Sequence, residues 1–313
     1  MKNIIISLVI FCSATSIGVA EHFTVFLMGG QSNMSGSRFT TEPSDLPGSL
    51  QSPKTDVFLY SNVSRPQIPQ TFSQNGDLAP YTHAPSDPDL NFFGPEVSFG
   101  RDMADGLPSH NIALIKYAAD GTSLFHDWNP NPGSSPSAHG DEGYHYDQFQ
   151  GTVSSGLTEI QNLNGGGNTY EIAGMLWVQG EADQNNDRLD YESNLNTFIG
   201  DVRSEYGSNL PFFFSALSAN QDFSGTTGDV RADQDAVAAG DANAFLIQTD
   251  SFPVVTEGFG TVHYSSEGQR LLGEAFADQV LIVIPEPSTL VLTALGILSV
   301  CGMRVRRLHP FTS

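Results

Sequence analysis

Cysteine is nearly missing. The 313-residue chain has 2, Cys12 and Cys301, and neither lies between residues 21 and 284. That excludes a disulfide framework for the body of the chain, whose stability must come from its core. Basic side chains are scarce too: 13 Lys+Arg face 35 Asp+Glu, a net charge of −22. Such an imbalance argues against nucleic acid and anionic membrane surfaces as partners. Long apolar runs are also lacking. The run near the C-terminus, Leu290–Met303, falls short of the roughly 18 residues of a stable membrane span. No internal repeat is evident.

What is present begins at the ends. Met1–Ala20 has a basic residue (Lys2), an apolar stretch (Ile4–Phe11) and small residues closing at Gly18-Val19-Ala20. This predicts a secretory signal cleaved before Glu21. Phe11 occupies the position where a lipoprotein acylated at Cys12 needs a small residue. At the other end, Pro285-Glu286-Pro287 precedes the apolar run, and Arg304, Arg306 and Arg307 follow it. That order resembles the PEP-CTERM sorting signal of Gram-negative bacteria. The resemblance implies export, contact with the membrane through residues 285–313 only, and removal of the tail by an exosortase. It places the product in the periplasm, on the cell surface or in the matrix; a permanent C-terminal anchor is the alternative. The body, residues 21–284, is long enough for one sizeable domain and holds 9 basic and 34 acidic residues.

Within the body, six apolar runs read as buried strands: Phe23–Met28, Val57–Tyr60, Ile112–Tyr117, Ile172–Val178, Pro211–Leu217 and Phe245–Gln248. Helical spacing covers Glu96–Asp105, Phe149–Leu163, Leu189–Tyr206, Val230–Ala239 and Ser266–Val280. Alternation of strands and helices predicts a parallel sheet covered on both faces, with ligands beyond the carboxyl ends of the strands. Ser266 and Gln269 read as a capping box for the last helix, which puts His263 on the loop before it. Two long loops stand out, 61–93 and 120–147. The second carries Trp128, Tyr144, Tyr146 and three histidines, and suits either sugar stacking or packing on itself.

Val25–Met34 carries an apolar run into Gly29-Gly30, and Ser32 follows almost at once. A serine on a tight turn after a first strand suits a nucleophile, provided a base lies within reach. Helix capping is the ordinary role of such a serine, and Met34 departs from the Gly-x-Ser-x-Gly elbow. Three further blocks change the reading: Asp120–Leu124 after one strand, Trp177–Asp183 closing another, and Val262–Gln269 opening the last helix. With Gly94–Gly100 and Gly30–Met34 they make five ordered blocks spanning nearly the whole body. The set resembles the sialate O-acetylesterase-like branch of the SGNH hydrolases, which includes carbohydrate esterase family six.

The resemblance implies an α/β/α sandwich with a mainly parallel five-stranded sheet of flavodoxin-like type. It implies removal of acetyl groups from carbohydrate through an acetyl-enzyme, with neither metal nor organic cofactor. It assigns attack to Ser32, proton transfer to His263, and the oxyanion to the N–H groups of Ser32 and Gly121 with the Gln179 amide. Many members carry an aspartate three residues before the histidine; here that position is Gly260. Glu181 is the first candidate for the acid, with Asp250 and Glu257 as alternatives and an acid-free pair also open. Asp183, Asn185 and Asp187 only mimic a calcium loop and read as a solvated helix start. His126, His139 and His145 lack metal-ligand spacing. Two other functions stay open: a glycan-binding surface or matrix protein with little or no turnover, and a short-chain esterase acting on non-sugar esters.

Overall fold

The computed structural model describes residues 20–36, 43–52, 54, 56–64, 81–82, 91–131, 136–137, 140–184, 190–221, 227–256 and 262–284. The leader through residue 19, the tail from residue 285, and Glu257, Gly260, His139, Asn185 and Asp187 lie outside the described residues. Among the described residues, no helix is long and apolar enough to cross a membrane.

All six apolar runs become strands of one sheet: β1 His22–Gly30, β2 Val57–Ser64, β3 Asn111–Ala119, β4 Thr169–Val178, β5 Phe212–Ser215 and β6 Ala244–Ile247. Every pairing is parallel, and the spatial order is β6-β5-β4-β1-β3-β2. Among the described residues the sheet therefore has six strands, one more than the resemblance implies, and β6 is the outermost of them on the β5 side. Parallel strands covered on both faces must be apolar on both, so they read as runs rather than alternations.

β1 shows why. Val25 and Leu27 enter one apolar cluster, with Phe149, Trp177 and Phe198. Phe26 and Met28 enter the other, with Phe99, Leu272 and Phe276. The first cluster is covered by α3 Tyr144–Asn162, α4 Tyr191–Tyr206 and α5 Thr227–Gly240; the second by α2 Glu96–Gly106 and α6 Ser266–Val283. α2 and α6 approach so closely that a Cβ at Gly273 would lie 2.2 Å from the Pro95 carbonyl oxygen. Two packed faces around one sheet make the three-layer sandwich.

The order also locates the site. From β1 the chain moves to one side for β2 and β3, then crosses to the other for β4, β5 and β6. Crevices for ligands open at such reversals, beyond the carboxyl ends of the strands. Here these are the ends of β1, β3 and β4, which lead into Ser32, Gly121 and Gln179 respectively.

Candidate active site

β1 ends on Gly30, whose φ is +144° and whose hypothetical Cβ would sit 2.1 Å from the Val178 carbonyl oxygen. Only glycine fits this approach, and it lets the Gln31 N–H donate to the same carbonyl at 3.0 Å. The chain then turns into the single helical turn α1 Ser32–Ser35, all of it buried. Two contacts hold its far end. Ser35 Oγ donates to Asp120 Oδ1 at 2.7 Å, and the buried Lys116 Nζ donates to the Ser35 carbonyl at 3.2 Å. Lys116 also pairs with Glu96 at 2.7 Å, with both side chains fully buried. That pair is the structural use of the 94–100 block.

Ser32 Oγ and His263 Nε2 lie 2.9 Å apart across 231 positions of sequence. The histidine reaches this place through its main chain. Residues 253–255 run antiparallel to 263–265: the Val255 N–H donates to the His263 carbonyl at 2.9 Å and the Ser265 N–H to the Pro253 carbonyl at 3.0 Å. Asn33 spans the peptides on either side. Its Nδ2 donates to the Val262 carbonyl at 2.9 Å, and its Oδ1 accepts from the Tyr264 N–H at 3.0 Å. Gln221 Nε2 donates to the same Val262 carbonyl at 2.8 Å.

Glu181 stands behind this clamp. It is buried, and its Oε1 accepts from Asn33 Nδ2 and, at 3.3 Å, from Gln221 Nε2. Its Oε2 makes no hydrogen bond among the described residues. The expected bond from Glu181 to His263 is therefore not formed, because the carboxylate is turned toward the two amides. Burial pushes its pKa up, and the bonds from Asn33 and Gln221 oppose that rise. Asp250 is also occupied elsewhere. It accepts from the Ala219 N–H at 2.9 Å and pairs with Arg231 at 2.7 Å, and these contacts hold its pKa below the usual carboxylate value.

The three expected oxyanion donors separate into two and one. The N–H groups of Ser32 and Gly121 serve no internal hydrogen bond among the described residues; Gly121 is exposed, with φ +70°. Gln179 differs. Its side-chain amide donates to Asp183 Oδ2, to the Thr122 carbonyl at 3.2 Å and to Gln31 Oε1 at 3.3 Å, while its Oε1 accepts from Tyr191 at 3.0 Å. An amide with both hydrogens directed at internal acceptors braces the site rather than lining it.

Asp183 is fully buried, not solvated as its sequence setting suggests. It accepts from the Leu124 N–H at 2.9 Å and the Phe125 N–H at 3.2 Å as well as from Gln179. Burial drives its pKa up to about 7, against the lowering effect of those bonds. No group of three or more potential metal ligands occurs among the described residues. His145 is buried against Tyr117, with ring nitrogen and hydroxyl 2.7 Å apart, and His126 lies 3.4 Å from Asp127. Trp128 and Tyr146 are core residues rather than stacking surfaces, whereas Tyr144 is 42% exposed. Trp128 Nε1 supports the Gly121 turn by donating to Thr122 Oγ1 at 2.8 Å.

A hydroxyl beside an imidazole, at a strand edge with two backbone N–H groups available, can carry out acyl transfer. The family model described as carbohydrate esterase, sialic acid-specific acetylesterase, matches residues 22–282. The chain belongs to that family. No curated protein sequence matches it. Among solved structures, the family domain is similar to a protein from Arabidopsis thaliana, with a TM-score of 0.57 at 20% identity over 84% of this chain and 98% of that one. It is similar to NanS, with a TM-score of 0.57 at 15% identity over 85% and 99%. It is also similar to a carbohydrate acetylesterase from Xanthomonas citri, with a TM-score of 0.52 at 16% identity over 81% of this chain and 55% of that one. At such identities the likeness is one of fold.

The sequence singles out Ser32 and His263, and the geometry brings them together. It does not single out Gln221, and it gives Asn33 and Asp183 no part in the site. Asn33 sits in a quoted block and Asp183 in the calcium-like spacing, but their partners are main-chain groups far away in sequence.

Proposed function

We propose that this protein is an exported serine esterase that removes O-acetyl groups from carbohydrate. The observation that carries the reading is the 2.9 Å approach of Ser32 Oγ to His263 Nε2, at the carboxyl edge of a carbohydrate-esterase-family domain. Ser32 attacks the acetyl carbonyl carbon while His263 Nε2 takes its proton. The oxyanion is received by the backbone N–H groups of Ser32 and Gly121, each such donor being worth about 3 kcal/mol of barrier. As the tetrahedral intermediate collapses, the sugar oxygen leaves with the proton from His263, and an acetyl group remains on Ser32. Water, activated by the same imidazole, then releases acetate and restores the hydroxyl.

In this scheme Glu181 is a positioning residue. It fixes Asn33 and Gln221, which hold the peptides around His263. Gln179 and Asp183 likewise hold the Gly121 turn. The leader and the sorting-type tail support export, with exosortase processing of the tail; the acidic body suits a soluble exported domain.

The test is acetate release from acetylated glycans by wild type and Ser32→Ala. Loss of turnover by about a thousand-fold or more is expected. Undiminished release by the variant would refute the assignment. A series of esters of increasing acyl length separates a sugar acetylesterase, which should stop near propionate, from a general short-chain esterase. Mass spectrometry of the mature protein from its own membrane fraction tests the trimming at both ends.

A further inference from the structure

Among the described residues three large apolar side chains are exposed, Phe125, Tyr144 and Ile282. Ile282 is in the last turns of α6, away from the carboxyl edge of the sheet. The other two stand on segments that pair through their main chains. The Gly143 N–H donates to the His126 carbonyl at 2.9 Å and the His145 N–H to the Asp127 carbonyl at 3.0 Å. These bonds lay the segment bearing Tyr144 along the one that follows Phe125.

Both rings stand on a rigid base tied to the site. The Phe125 N–H is bound by Asp183, which also takes the Gln179 amide, and that amide reaches Gln31, the residue before Ser32. The Tyr144 ring meets His145 edge-on, with centroids 5.1 Å apart, and the His145 ring is anchored by the Tyr117 hydroxyl. An aromatic ring held half in water by fixed main chain has given up mobility without gaining full burial. Such a preorganised ring binds a partner at small entropic cost. A pyranose suits it. The C–H face of the sugar covers the ring, and its hydroxyls stay in water.

We propose that Phe125 and Tyr144 form a stacking platform for a pyranose ring of the acetylated glycan, beside the Ser32 site. The proposal rests on the carbohydrate reading above. It moves sugar stacking from Trp128 and Tyr146, which are buried, to rings that a ligand can reach.

The test compares wild type, Phe125→Ala, Tyr144→Ala and Phe125→Trp on three esters: acetylated xylotetraose, 9-O-acetyl-N-acetylneuraminic acid and 4-nitrophenyl acetate. Phe125→Ala should raise KM about ten-fold on the sugar ester that the wild type hydrolyses, with kcat held within about two-fold. Tyr144→Ala should raise it about three-fold. Neither should change kcat/KM for 4-nitrophenyl acetate, and Phe125→Trp should restore sugar binding. The two sugar arms tell a neutral ring from an acidic one.

Equal loss on the sugar and nitrophenyl esters would overturn the platform, as would an unchanged KM on the sugar ester. If the wild type hydrolyses neither sugar, titration calorimetry with unacetylated xylotetraose and with N-acetylneuraminic acid decides. Binding of either that Phe125→Ala abolishes would uphold the platform, whatever the outcome of the Ser32→Ala test of the esterase reading. No binding by the wild type would sink it.

Discussion

Replacing Glu181 by glutamine separates two chemistries. A carboxylate that balances an imidazolium cannot be replaced by an amide without a loss of about 10⁴-fold in kcat. A carboxylate that only accepts from Asn33 and Gln221 can, because the glutamine Oε1 offers the same acceptor. Glu181→Gln should therefore keep kcat within about ten-fold of wild type, while Glu181→Ala, which leaves both amides without their acceptor, should lower it by about 10². Asn33→Ala should reduce kcat to a similar extent with little effect on the KM of a small ester, since it loosens the peptides on either side of His263. Ser32 and His263 could be recognised in the sequence because glycine turns and helix starts have local signatures. Asn33, Gln221 and Asp183 could not be, since each acts on main-chain N–H or carbonyl groups 41 to 231 positions away.

The elements follow the same rule. Each strand was readable as an apolar run because both of its faces are buried, and the residues themselves indicate six strands where family resemblance indicates five. The cap of α6 lies one position before the expected Ser266. Ser265, not Ser266, is the cap, accepting from the Gly268 N–H at 3.3 Å. Ser266 donates to Asp45 at 2.9 Å instead, and Gln269 to the Asn33 carbonyl at 3.0 Å. Adjacent serines offer the same capping chemistry, and only the distant partners decide between them. The seam between α2 and α6 gives two predictions. Gly273→Ala forces a methyl against Pro95 and should cost about 2 kcal/mol in denaturant unfolding. Asp102 on that seam has its pKa raised from 3.8 to about 6, first by desolvation and then by Glu274. Because its folded pKa lies above the unfolded value, stability is lost as pH rises through that interval. Asp102→Asn should accordingly show a higher Tm than wild type at pH 8 and little difference at pH 4.

For the whole molecule, charge and buried acid act together. With a net charge of −22, self-repulsion weakens the fold, and added salt should raise Tm by screening it. Asp183 adds a pH dependence of its own. Its folded pKa of about 7 exceeds the unfolded 3.8, so between these values folding takes up a proton and stability falls as pH rises. Unfolding midpoints should decline from pH 6 to pH 8 more steeply in wild type than in Asp183→Asn. The connection from Asn33 to Val262, Tyr264 and Gln269 joins the two extremes of the domain. A ribosome must therefore deliver nearly every residue before the site can close, and a chain interrupted anywhere earlier, however well its first strands pair, is chemically silent.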